Sequence, residues 1–173
     1  MRVNKFVDHI LVLPEDDANR QIINGFILNL NVNGTAIQVL PIANGWKKVV
    51  DKFKNDHISE MGKFPKRLIV LVIDFDDYKE PDGLSYENRL IYIKSQVPEE
   101  LQERVFVLGS RNSPEKLKGN IKKSFEGIGE SLAKDCAENK AKNTNETWGH
   151  DLLKHNEDEL KRIHLAVKSF LFN

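Results

Sequence analysis

The run Leu68-Ile69-Val70-Leu71-Val72-Ile73 constrains this chain more than any other stretch. Six apolar residues in a row leave no polar face for solvent. A strand covered on both sides by other layers has this pattern, whereas a half-exposed strand alternates. The run stops abruptly at Asp74-Phe75-Asp76-Asp77. A central strand of a parallel sheet, ending in acids at its carboxyl edge, is therefore the first expectation.

The rest of the chain supplies partners for that strand. Residues 9–13 (HILVL) form a second short apolar run, closed by Pro14 and Glu15. Ile22, Ile23, Phe26, Ile27 and Leu30 then recur at helical spacing, with Asp16 or Asp17 able to cap the start. Residues 36–42 (AIQVLPI) predict a strand near an edge, because Pro41 has no N–H for a ladder. Trp46, Val49, Val50 and Phe53 mark a helix after the Asn44-Gly45 turn. Residues 85–97 predict a helix with Ser85 as its cap, and residues 104–108 (RVFVL) a fourth strand stopped by Gly109. Ser113-Pro114 is a strong helix start, and residues 125–136 continue the helical pattern. A last helix is expected over 149–170, with Leu152, Leu153, Leu160, Ile163, Val167 and Phe170 on one face. Strands alternating with helices point to an α/β fold: a mostly parallel four-stranded sheet flanked by helices, with extra C-terminal helices. The reading is one domain over 1–173, an α/β core at 1–110 followed by a helical extension at 111–173.

Composition excludes several classes. Lys and Arg number 26 and Asp and Glu number 26, so the formal net charge is zero. Neither a strongly basic nucleic-acid coat nor a highly charged disordered chain has that balance. No apolar run approaches the roughly 18–20 residues of a membrane span, and residues 1–5 do not begin a secretory signal. The single cysteine, Cys136, allows no intrachain disulfide. A cytoplasmic protein without membrane contact is expected.

Ligands of open parallel sheets bind at the carboxyl ends of strands. There the first strand delivers Glu15 and the central strand delivers Asp74 and Asp76, with Asp77 beside them. If the strands are neighbours, these carboxylates repel and one must take up a proton. A hard divalent cation resolves the conflict, because Mg²⁺ prefers oxygen ligands and keeps several waters. The same residues also have plainer readings, as a polar loop at 74–77 and as caps at Asp16 and Asp17. At the fourth strand end, Arg111 precedes a helix N-terminus suited to an anion. Between residues 111 and 142, eight bases stand against five acids, including Lys116, Lys122 and Lys123, a flank that suits a phosphate backbone. His150, in the cluster Trp148-Gly149-His150-Asp151, is a candidate general base or a local hydrogen-bonding residue. Trp46 is a core aromatic or a base-stacking platform, and Cys136 reads as buried and inert.

A strand ending in Glu15, a helix, a second strand and helix, then an apolar strand ending in Asp74-Phe75-Asp76 resembles the Toprim domain, over residues 8–109. Topoisomerases, primases, RecR-type recombination proteins and OLD-family nucleases share that domain. The chain looks closest to its small stand-alone and OLD-like forms. The resemblance implies that Glu15, Asp74 and Asp76 are catalytic and, with Asp77, hold Mg²⁺ (or Mn²⁺) for phosphodiester cleavage. It implies nucleic acid as partner, DNA ahead of RNA, contacted by Arg111, Lys116, Lys122 and Lys123. OLD-like nucleases add acids and a lysine after the fourth strand, for which Glu115, Lys116, Glu126 and Glu130 are the candidates. No G-x-x-x-x-G-K-[ST] loop is present, so an ATPase in such a system would be a separate partner. A homodimer is a further expectation. The sequence departs from the family where Asp16 and Asp17 follow Glu15 in place of a small residue, and where Tyr78 stands at a third acid. Two alternatives remain open: a phosphohydrolase or phosphoacceptor with Asp74 as nucleophile, and a non-enzymatic interaction module.

Overall fold

The computed structural model describes residues 2–75, 86–138 and 146–173. Asp76, Asp77, Tyr78 and the expected Ser85 cap lie outside the described residues. Four strands form one sheet: His9–Pro14 (β1), Ile37–Val39 (β2), Arg67–Val72 (β3) and Val105–Leu108 (β4). Their order is β2-β1-β3-β4 and every pairing is parallel. The fold is α/β, as the alternation of elements predicts.

β3 lies inside the sheet, with Leu71 opposite Leu13 of β1 and opposite Val107 of β4. Its side chains face two layers, which explains the uninterrupted apolar run. Ile69, Leu71 and Ile73 pack on one side with Trp46, Val49, Phe53, Met61 and Ile93. Leu68 and Val70 pack on the other with Val12, Phe106, Ala133, Val167 and Leu171. β2 is an edge and shorter than the expected 36–42. Ala36 ends a 3₁₀ turn, and past Leu40, whose N–H reaches the Val12 carbonyl, Pro41 has no N–H to extend the ladder.

Among the described residues there are seven α-helices. Trp46–Lys52 (α2), Ile58–Lys63 (α3) and Tyr86–Ser95 (α4) cover the first face of the sheet. A π turn at Phe53–His57 joins α2 to α3. Asp17–Leu28 (α1), Phe125–Ala137 (α6) and Glu157–Val167 (α7) cover the second face. Pro114–Ile121 (α5) begins at Ser113, whose hydroxyl accepts from Lys116 N–H, and packs Leu117 against α6 and the Trp148 side chain. α1 and α6 cross in backbone contact. A Cβ on Gly25 would stand 2.0 Å from the Glu126 carbonyl oxygen, and one on Gly129 would stand 1.9 Å from that of Ile22. The C-terminal helices thus share the core of the sheet.

The long helix expected over 149–170 is corrected to α7 at Glu157–Val167, preceded by 3₁₀ turns at Thr147–Gly149 and Lys154–Asn156. The reason is the outer edge of β4. Its extension donates from Arg111 N–H to the Leu152 carbonyl at 2.9 Å. Gly109 N–H donates to Asn156 Oδ1 at 3.1 Å, and Asn156 Nδ2 returns a bond to the Gly109 carbonyl at 2.9 Å. Val107 N–H donates to Glu159 Oε2 at 2.9 Å. A continuous helix would keep the Leu152 carbonyl for itself. No helix among the described residues is long and apolar enough to cross a membrane.

Candidate functional site

Parallel neighbours end together, so β1 and β3 bring Glu15 and Asp74 to one edge. The Glu15 backbone is clamped from both sides. Its N–H donates to the Val72 carbonyl at 3.0 Å, and its carbonyl accepts from Asn44 N–H at 2.7 Å. Asn44 and Gly45 make that turn with φ of 63° and 137°, the second a conformation suited to glycine. The Glu15 side chain then crosses to β3, where Oε2 accepts from Asp74 N–H at 2.7 Å. The two acids singled out in the sequence do meet.

Asp16 joins them. It caps α1, accepting from Asn19 N–H at 2.9 Å. Asp17 points away and is held by Arg20 and Gln21, and the Arg20 contact keeps its carboxyl below the usual range. Asp74 is buried, and its Oδ1 accepts from Asn19 Nδ2 at 3.1 Å. Its carbonyl accepts from Arg89 Nη1 at 3.0 Å. Arg89 is itself buried, with its guanidinium 4.8 Å from the centre of the Trp46 ring. Trp46 is therefore a core aromatic.

Crowding decides the charge of Asp74. Loss of solvent is the largest effect, the nearby charges of Glu15 and Asp16 add to it, and the Asn19 amide opposes it; together they push the carboxyl up to about 9. At neutral pH Asp74 holds a proton, which hydrogen bonding with Asp16 favours. Glu15 and Asp74 offer oxygen donors only, which fits a hard cation in kind. Among the described residues no group of three or more His, Cys, Asp or Glu is arranged as a metal cluster. Mg²⁺ is commonly bound through one or two carboxylates with substrate phosphates completing its shell, so Glu15 and Asp74 suffice in kind.

The other candidates divide. Phe75 is buried, not part of a polar loop, and bridges in parallel to Arg111, which places Arg111 beside the end of β3. The Arg111 guanidinium lies 4.8 Å from the Tyr86 ring centre. Glu115 and Lys116 sit in the first turn of α5, next along the chain from Arg111. Lys122 is the left-handed cap at the far end of α5, about 12 Å along that helix. Lys123 Nζ donates to Ser131 Oγ of α6. Glu126 and Glu130 sit at the α1–α6 crossing, where their carbonyls meet Gly25 and Asn29, well down α1 from its Asp16 cap; the fold does not bring them to Glu15 and Asp74. His150 serves locally, its Nδ1 accepting from Leu152 N–H at 3.1 Å. Burial pushes the Cys136 thiol up to about 12, so it is inert at neutral pH.

Asn19 and Arg89 escaped the reading of the sequence, yet both carry a signal. Asn19 falls in phase with Ile22, Ile23 and Phe26, and Arg89 with Tyr86, Leu90 and Ile93. A polar residue on the buried stripe of a helix needs a partner, and for both that partner is Asp74. His155 stands beside the same strand end. It stacks edge-on against Tyr86 and Phe75, and its Nε2 lies 2.7 Å from the Gly109 carbonyl. Compared with known proteins, the chain matches no family model, no curated protein and no solved structure.

Proposed function

We propose that this chain is a Mg²⁺- or Mn²⁺-dependent, Toprim-like protein that acts on nucleic acid, DNA in the first place, by phosphodiester cleavage. One observation carries the reading. Two adjacent parallel strands end in acids, and the Glu15 carboxylate accepts from the Asp74 peptide N–H, at the edge where such sheets bind ligands. Glu15 and Asp74 would hold the ion; Asp76 and Asp77, implied by the same resemblance, lie outside the described residues. The ion supplies charge stabilisation at a phosphoryl group and activation of water.

The chain's own groups do the rest. The Asp74 peptide N–H fixes one oxygen of Glu15, and Asn19 fixes one oxygen of Asp74. Arg89, through the Asp74 carbonyl, holds the strand end in place. Taking up a dication requires Asp74 to release its proton, so binding strengthens as pH rises. Arg111, bridged to Phe75 next to Asp74, would suit the scissile phosphate region, with Lys116 in the first turn of the following helix. Lys122 and Lys123, a helix length away, suit phosphates further along the strand. A DNA-maintenance or defence role, with a separate ATPase, follows from the family analogy alone.

The test is calorimetric titration of Mg²⁺ and Mn²⁺ into wild type and an Asp74→Ala, Asp76→Ala double variant, with a plasmid-nicking assay on the same samples. Metal binding and nicking in wild type, both lost in the variant, are expected. Binding without nicking would move the phosphohydrolase reading ahead. No binding at millimolar metal would end both enzymatic readings for the isolated chain.

A further inference from the structure

Between the sheet and the layer of α1, α6 and α7 lies a cavity of about 170 Å³. Its walls include Val12 and Val70 of the sheet, Phe26 of α1, Leu132 of α6, and Leu160 and Val167 of α7. The polar side chains at its wall are Asn19, Ser110, Cys136, Trp148, Asn156, Lys161 and His164, and most are bonded elsewhere, Lys161 to Glu157. Asn19 Nδ2 donates to Asp74, Ser110 Oγ to the Asn112 carbonyl, and the Trp148 indole to the Leu132 carbonyl. Asn156 accepts from Gly109 N–H and donates to the carbonyls of Gly109 and Leu153.

A buried water needs two to four polar partners, and walls as apolar as these offer few. A void of about 150 Å³ walled by aliphatic and phenyl groups takes up benzene or xenon from solution. A charged guest would lose its hydration against walls that are mostly apolar, where Lys161 is already paired with Glu157.

We propose that this cavity is a binding site for a small uncharged apolar molecule the size of a single aromatic ring. The proposal does not rest on the metal-dependent reading, because none of its wall residues is a carboxylate.

The test uses the full chain and three probes: toluene, naphthalene and xenon. Toluene is expected to raise the thermal unfolding temperature by several degrees, saturably, and dissolved xenon to show a protein-dependent ¹²⁹Xe shift. Val167→Phe fills the cavity and is expected to abolish both effects. Leu160→Ala enlarges it and is expected to admit naphthalene, which wild type refuses. Absence of both the toluene and the xenon response in wild type overturns the proposal. So does an undiminished toluene response in a folded Val167→Phe protein. Should Val167→Phe not fold, Leu160→Ala decides: naphthalene binding gained supports the site, and naphthalene binding unchanged from wild type refutes it.

Discussion

Asp74 is stable as a neutral acid and costly as an anion, and that sets the pH response of the metal-free protein. Its folded value, about 9, lies above the unfolded value of 3.8. Between those limits the folded state binds a proton that the unfolded state does not, so stability falls as pH rises toward 9. Asp74→Asn keeps the neutral shape and removes the titration. In chelator it is expected to unfold at a higher temperature than wild type between pH 7 and 9, and to match it near pH 4. Each kcal/mol gained at this chain length corresponds to roughly 2–4 °C. Added Mg²⁺ should raise the midpoint of wild type and leave that of Asp74→Asn unmoved. A variant less stable than wild type at pH 8 would mean that the carboxyl is ionised in the fold. At this scale the sequence was legible where residues end strands: Glu15 and Asp74 followed from two apolar runs. Asn19 and Arg89 were not, because a polar residue in phase with an apolar stripe reads as an interruption until its buried partner is seen.

Elements meet at two points where substitution has a definite sign. At the α1–α6 crossing, Gly129→Ala puts a methyl group into the Ile22 carbonyl, and relief requires the helices to part. Overpacking of this kind typically costs about 1–3 kcal/mol, readable in the urea midpoint. Gly119→Ala in α5 meets nothing within 4 Å. It is expected to gain about 0.5–1 kcal/mol from helix propensity alone. A loss at position 119 equal to that at 129 would remove crossing geometry as the cause. The second point is Glu159, which is buried and bound by Val107 N–H, Lys94 and Arg162. Burial alone would raise its carboxyl, but these three partners outweigh it and hold it below its ordinary 4.5. Its contribution is present above the unfolded value and is lost as pH falls through the folded one. Glu159→Ala is expected to cost about 1–3 kcal/mol at pH 7, the range for a buried donor left unmatched. The deficit should shrink in acid below pH 4. Here the sequence misled about α7, since the apolar spacing from Leu152 to Phe170 is helical throughout. What breaks the helix is demand from another element, the outward N–H groups of β4, which no local pattern records.

The molecule as a whole stands on three clusters that draw on distant parts of the chain. Val167 and Leu171 close the same face of the sheet as Ile10 and Val12. Phe172 bridges to Val32, and the Leu171 carbonyl accepts from Asn33 N–H at 2.7 Å. Deleting residues 157–173 is therefore expected to abolish cooperative unfolding, followed by near-ultraviolet circular dichroism. A truncated protein that still melts in one sharp transition would show the α/β core to be independent. The α/β class was readable from alternation because parallel strands require crossover helices. The third cluster, where α5, α6 and Trp148 meet, was not, because those helices pack mainly on each other.

The bonds that Leu152, Asn156 and Glu159 make to β4 have a consequence for how copies of this chain can associate. An unpaired strand edge is a template, and any extended peptide can add to it. On β4 the outward N–H groups of Val107, Gly109 and Arg111 are already occupied from within the same molecule. The opposite edge, β2, offers three residues and then a proline. The sheet thus carries its own substitute for a fifth strand on one side and almost no template on the other. Among the described residues, both edges of the sheet therefore disfavour growth by strand addition, in solution or during aggregation.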